Sequence, residues 1–411
     1  MQARYRWIRR IAAFALCSAA LSPTARADAV LDWNDVGIAA VIASRSSPPE
    51  GARAMAMMHV AMFEAANAVE GGYAPYAFNA RAPASTSAEA AAAAAGYRVL
   101  SGLYPQQRES LDKAWAASRQ KLEGTPGFAA GTAIGEQAGA ECLTMRAKDG
   151  VGAVSHYRPV TAPGVYVGTM LPINHDWRDV KPFFLQEPSQ FRPEPPPALA
   201  SELWARDYNE IKTFGDKNSR QRTPEQTEVA RFWTATGAAT WNSLVRALAA
   251  SKPRRLAENA RLFALVNMAA TDAFVAVFDA KYAYNFWRPV TAIRNGDIDG
   301  NDATARDPGW LPFVDTPVHP EYPCAHCITA GAVAAVLEAE FGTGRVGPIE
   351  LTSLTAPGVT HRFERIADYV REVDEARIWG GMHYRNSTEV GERMGRAIGA
   401  YAVANGLKPL H

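Results

Sequence analysis

Apolar positions recur with helical spacing along most of the chain, and strand-like alternation of polar and apolar residues is rare. Helical composition with few breakers predicts helices over residues 54–71, 87–103, 111–121, 198–214, 223–235 and 241–250. The stretch ENARLFALVNMAATDAFVAVFDAKYAYNF (258–286) is apolar around most of its circumference, interrupted between Arg261 and Lys281 only by Asn267, Thr271, Asp272 and Asp279. A helix of that kind is buried at the centre of a bundle. Residues 151–197 break the pattern: rich in Pro, Gly and aromatics and without period, they read as a long surface excursion between helices. The fold class is therefore all-α, a helical bundle forming a single domain over residues 28–411.

The N-terminus changes that picture only at its margin. Arg4, Arg6, Arg9 and Arg10 precede the apolar run IAAFALCSAAL, and Ala25-Arg26-Ala27 is a small-x-small site, so residues 1–27 read as an export signal. The expected location is periplasmic or secreted. Removing the signal's five arginines takes the formal charge from +1 to −4. With no polybasic stripe in what remains, nucleic acid is excluded as a partner. No membrane span is expected, because no other stretch reads as 18 apolar residues. Three cysteines follow the signal, Cys142, Cys324 and Cys327, so at least one is unpaired; a Cys324–Cys327 bridge stays open.

Candidate chemistry concentrates in residues 258–400, in three short segments. In KYAYNFWRP, Lys281 and Arg288 lie two helical turns apart, and Pro289 places Arg288 at a helix end. In HPEYPCAHC, Pro323 suits a helix start, which puts the amides of Cys324, Ala325 and His326 in a first turn, where free N–H groups bind anions. In ARIWGGMHYRNSTEVG, Arg377 and His383 are six apart; one unbroken helix would point them away from each other, but Gly380-Gly381 lets both face one point. Asp374 and Glu375 just upstream fit a solvent-facing position. Each segment has an ordinary structural explanation. Together they supply three cations, a helix N-terminus and two imidazoles, the set a tetrahedral oxyanion needs.

The order Lys-x6-Arg-Pro, Pro-x-x-His, Arg-x5-His resembles the signature shared by vanadium-dependent haloperoxidases and type-2 phosphatidic acid phosphatases. MMHVAMFEAANAV, DPGWLPFVDTPVHPEYP and the segments above resemble the bacterial haloperoxidase-like branch. The resemblance implies a four-helix-bundle core and vanadate as cofactor, with phosphate able to occupy the same site. It implies that Lys281, Arg288 and Arg377 bind equatorial oxygens, and that Cys324 and Ala325 line the site. His326 would be the acid/base group, and His383 the vanadium ligand or a phosphohistidine nucleophile. Lys281 would polarise bound peroxide. The activity implied is halide oxidation by hydrogen peroxide, or, alternatively, phosphate-ester hydrolysis of the acid phosphatase type. Two departures stand out. Pro323-Cys324-Ala325-His326 replaces the usual Pro-Ser-Gly-His, putting an oxidisable thiol at the site. Ser387 stands four residues after His383, where the phosphatases carry an acid, which leaves no visible partner to orient His383.

Two other classes fit single features. Cys324-Ala325-His326-Cys327 is a C-x-x-C at a helix N-terminus, the local pattern of thiol-redox proteins, though without their βαβ setting. A non-catalytic oxyanion binder fits the cations alone. DIDGNDATARDP (297–308) has calcium-loop composition but the wrong glycine position and no terminal Glu, and reads as a solvated turn. His361 is close enough in sequence to the third segment to approach the pocket. His59, His156, His175, His319 and His411 form no zinc pattern.

Overall fold

The computed structural model describes residues 28–410 except positions 84, 155, 169 and 236. The export signal expected over residues 1–27 lies outside the described residues. Among those residues the helices are α1 (Ala29–Ser44), α2 (Pro48–Glu70), α3 (Ala88–Leu103), α4 (Arg108–Leu122), α5 (Phe128–Met145), α6 (Glu202–Phe214), α7 (Pro224–Phe232), α8 (Ala238–Ala250), α9 (Leu256–Tyr284), α10 (Pro289–Arg294), α11 (Ala325–Phe341), α12 (Ile366–Trp379) and α13 (Arg385–Asn405). One antiparallel hairpin, β1 (Ile349–Ser353) and β2 (Ala356–Phe363), interrupts them. The all-α helical bundle read from the sequence is thus the fold. The hairpin is short and half exposed, so its alternation is too brief to stand out in the sequence.

Helix α9 is the axis of the molecule. It packs against α2 on one side, where α3 and α5 complete a layer, and against α11 and α13 on the other. By length and apolarity it could cross a membrane, so the expectation that no such stretch follows the N-terminus is corrected; its most apolar window is wholly buried in the protein. Its few polar residues explain how a helix this apolar keeps one orientation. Asn267 exchanges amide hydrogen bonds with Asn242 of α8 (2.8 Å each way) and accepts from Trp241 Nε1 (3.1 Å). The Asp272 carboxylate accepts the backbone N–H groups of Phe183, Phe184 and Leu185 at 2.6, 2.7 and 3.1 Å. Asp279 takes a two-pronged bond from Arg192, 2.8 Å at each oxygen. The aperiodic 151–197 segment is therefore pinned to α9 by Asp272 and Asp279, and by the Tyr282 and Tyr284 hydroxyls, which donate to Ile173 O and Pro193 O; this gives it order with no more regular structure than a 3-10 turn at Trp177–Asp179.

Helices α11 and α13 approach almost backbone to backbone. A Cβ built on Gly395 would sit 2.0 Å from the Ile328 carbonyl oxygen, and one on Gly399 2.4 Å from that of Ala332. The glycines at 391, 395 and 399 recur once per turn and form the face that α11 fills. This contact matters because α11 begins at Ala325 and α13 at Arg385, beside His326 and His383 respectively.

Candidate active site

The three segments meet at one buried point. Lys281 comes from the last turn of α9, and the chain then turns at Asn285, which adopts left-handed φ (48°). Arg288 caps α10 at Pro289. Arg377 comes from the last turn of α12. That helix stops at Gly380, and Gly381 (φ 78°) turns the chain so that His383 faces back. Met382 and His383 donate their backbone N–H groups to the Arg377 carbonyl (3.1 and 3.3 Å). No side chain fits at 381: a Cβ there would lie 2.4 Å from Gly215 O. Lys281, Arg288, Arg377 and His383 are each at most 1 % exposed.

The donors are held by backbone carbonyls rather than carboxylates. Lys281 Nζ donates to Pro320 O (3.0 Å) and Glu321 O (2.7 Å). Arg288 donates to His319 O (2.9 Å), Met382 O (3.0 Å) and His319 Nδ1 (3.0 Å). Arg377 donates to Trp233 O (2.9 Å) and Met382 Sδ (2.9 Å), and its Nε has no partner. Burial with so little counter-charge depresses all three, and the charge of Arg288 adds to this at Lys281 and Arg377. Burial, then Arg288, holds Lys281 well below the usual lysine range; burial lowers Arg288; and burial lowers Arg377 to about 10.

His383 is oriented by a residue the sequence did not reveal. Its Nδ1 lies 2.8 Å from Glu321 Oε1, while its Nε2 lies 3.3 Å from Arg288 Nη1. A guanidinium can only donate, so Nε2 is the acceptor and the proton sits on Nδ1, directed at Glu321. The Nε2 lone pair is thereby aimed into the cluster of cations. Burial and the three cations keep His383 neutral, well below its ordinary range. Burial raises Glu321 to about 8, against the pull of Lys281 and Arg288. Ser387 lies against the Glu321 carboxylate and lowers it without closing a hydrogen bond of normal geometry. The missing acid of position 387 is thus supplied from position 321, on another segment, so no fixed spacing from His383 could have exposed it.

Cys324 is the N-cap of α11, and Ala325 and His326 are its first two residues. The Cys324 amide is spent on Ser387 O (3.1 Å), which corrects the expectation that it is free; the Ala325 and His326 amides have no acceptor within the helix. His326 Nε2 is buried without a partner. Burial, then Arg377, keeps the ring neutral. His319, set aside in the sequence, is part of the site as an acceptor for Arg288. Asp374 is not solvent-facing but buried beside Cys327, and burial raises it to about 9; Glu375 pairs with Arg385. His361 stays outside, between Phe232 and Glu372 (2.5 Å); Glu372 in turn accepts from Trp233, whose carbonyl holds Arg377. The 297–308 loop is not a solvated turn throughout: Asp299 is buried and accepts from Trp204 Nε1 and Thr304. Among the described residues no group of acids, histidines and cysteines forms a cation site.

These residues fit a bound oxyanion. The cluster is rich in donors, its one near carboxylate is committed to His383, and Arg377 Nε and His326 Nε2 are buried with nothing to bond. Arg288 also forms part of the wall of a cavity of about 480 Å³, lined by Tyr166, Thr291, Arg294, Thr316 and Val318.

Residues 261–410 match the family described as the VCPO second helical-bundle domain. Vanadium chloroperoxidase of Curvularia inaequalis is 33 % identical over 156 residues, 32 % of this chain; the match spans a quarter of that protein's length (25 %). The solved structure of the first bacterial vanadium-dependent iodoperoxidase superposes with a TM-score of 0.78 over 91 % of this chain and 96 % of its own, at 24 % identity. A holo-type bacterial vanadium-dependent chloroperoxidase superposes with a TM-score of 0.65 over 87 % and 92 %, at 17 % identity.

Proposed function

We propose that this chain, which has the fold of the vanadium-dependent haloperoxidases, oxidises halide with hydrogen peroxide at a vanadate held by Lys281, Arg288, Arg377 and His383. The observation that carries the reading is the His383 ring: its proton is committed to Glu321 and its lone pair points among three buried cations. Bound vanadate supplies a Lewis-acidic oxyanion that activates peroxide toward halide. Lys281, Arg288 and Arg377 neutralise its oxygens, and the Ala325 and His326 amides add donors. His326, neutral and with its buried Nε2 unbonded, would hold or move a proton at Nε2. Burial of every charged member keeps bulk water from screening them. The signal pattern of residues 1–27 supports a periplasmic or secreted place of action.

The test is bromide oxidation by the purified chain with hydrogen peroxide, titrated with orthovanadate from zero and with phosphate as competitor. Vanadate-dependent turnover that phosphate suppresses, and that His383→Ala abolishes, is the expected result. Absence of turnover at saturating vanadate overturns the reading. A second reading has one observation in its favour. The Glu321–His383 pair gives a phosphohistidine nucleophile the acid that position 387 lacks. Phosphate-ester hydrolysis is assayed on the same sample, and it displaces the first reading if it proceeds without vanadate.

A further inference from the structure

The pair Cys324–Cys327 takes no part in the reaction above. We propose that it is a peroxide-reactive dithiol, which hydrogen peroxide converts to an intramolecular disulfide.

The geometry makes the two sulfurs unequal. Cys324 is the N-cap of α11, and its Sγ accepts the backbone N–H of Cys327 (3.3 Å) and the S–H of Cys327, with the sulfurs 2.6 Å apart. Both donors therefore favour a thiolate at Cys324 and leave the proton on Cys327. Arg377 adds its charge: it has no carboxylate partner among the described residues, and its guanidinium is held only by a carbonyl and a thioether. Burial pushes the Cys324 thiol up, but these contacts more than offset it and bring it to about 7. Asp374 beside Cys327 stays protonated at neutral pH, so it sets no negative charge against the thiolate.

The pair is also held together. Gly391 of α13 passes directly behind it; a Cβ there would lie 2.8 Å from Cys324 O and 3.2 Å from Cys327 Cβ. Neither cysteine can swing away toward α13. Cys142 is the internal control. It is buried alone, donates its S–H to Met57 O, and burial pushes it up to about 12.

The chemistry balances with the peroxide that the proposed function uses, and rests on that reading for nothing else. The Cys324 sulfur attacks one peroxide oxygen; the S–O bond forms, the O–O bond breaks, and the departing hydroxide takes up a proton as water. The Cys327 sulfur then attacks the Cys324 sulfenic sulfur. The S–S bond forms, the S–O bond breaks, and hydroxide leaves with the Cys327 proton as a second water. Two thiols are oxidised by two electrons, and one peroxide is reduced to two waters. A lone thiol at 324 would go on to the irreversible sulfinic acid; the second cysteine stops the sequence at a reducible state.

The experiment uses the full chain, reduced and free of vanadate, treated with one equivalent of hydrogen peroxide and then alkylated. Both cysteines fall on one tryptic peptide, residues 307–345. That peptide is expected to become two hydrogens lighter, to resist alkylation, and to regain both thiols on reduction. Its oxidation should outpace that of Cys142 by at least about tenfold, since the thiolate is the reactive form. Cys327→Ser is expected to leave Cys324 as a sulfenic acid that dimedone traps. Both thiols remaining alkylatable in the native wild type, or oxidation no faster than that of Cys142, overturns the proposal. Because vanadate is absent, failure of bromide oxidation leaves this result standing.

Discussion

Glu321 decides which nitrogen of His383 faces the cations, and a single substitution tests it. Glu321→Gln keeps the size but replaces the acceptor pair with one oxygen and one N–H. Oxyanion affinity, read as phosphate or vanadate binding by calorimetry, is expected to fall about 10- to 100-fold, the usual cost of losing the group that orients a ligand histidine. Glu321→Asp should recover part of it. An unchanged affinity in Glu321→Gln would mean that Glu321 only fills space. His59 shows the same physics used for stability alone. It is fully buried, stacked on Phe263 and bonded to Asn34, and burial lowers it to about 3. A folded-state value below the unfolded one means stability is complete above about pH 6.5 and drains away as the pH falls toward 3. Between pH 6.5 and pH 4 this one ring accounts for about 3 kcal/mol. Denaturant unfolding at pH 7 and pH 4 should therefore show a smaller loss in His59→Gln than in wild type; equal losses would refute the assignment.

At the scale of elements, two contacts set where the site's residues stand. The α11–α13 contact fixes His326 relative to His383, and it depends on glycines that leave no room. Gly395→Ala puts a methyl 2.0 Å from Ile328 O, so the helices must part; a cost of about 1–3 kcal/mol is expected from such overpacking. A lower melting temperature together with weaker vanadate dependence would place the damage between the helices. A melting temperature unchanged from wild type would show that the contact yields freely. Many of the helices were legible in the sequence because each signal is local: Pro323 marks a start, Gly380-Gly381 marks a break, and the apolar circumference of 258–286 marks the core, whereas α1 and α5 were not legible and Pro289, which reads as marking a helix end at Arg288, opens α10. The 151–197 segment shows the limit. Its order comes from Asp272 and Asp279, acids that looked like mere interruptions of α9 until their partners, about 90 residues away in the chain, were seen to be the amides of 183–185 and Arg192. Glu321 was hidden in the same way, since only the folded chain brings it to His383.

The whole molecule gathers three cations into its interior and gives them no matching acids. The motif order made that convergence legible, because Lys281, Arg288, Arg377 and His383 each lie beside a helix end. What no local pattern could show is that carbonyl groups, a thioether and imidazole nitrogens hold the cations, with no carboxylate bonded to them, so that the fold carries uncompensated positive charge at its centre. Such a fold is less stable than it could be unless an anion binds. By mass action, an oxyanion at 100 times its dissociation constant stabilises the folded chain by about 2.7 kcal/mol, a shift of a few degrees in melting temperature. Arg377→Met removes one buried charge at similar length and loses only bonds to a carbonyl and a thioether. Two effects of opposite consequence should follow. The unliganded variant is expected to melt no lower than the unliganded wild type, while the rise produced by phosphate or orthovanadate disappears. A residue that served packing alone would give the reverse: a lower melting point without ligand and an undiminished response to it. Finding that reverse pattern would remove Arg377 from the anion site and leave the cations as a structural feature of the bundle.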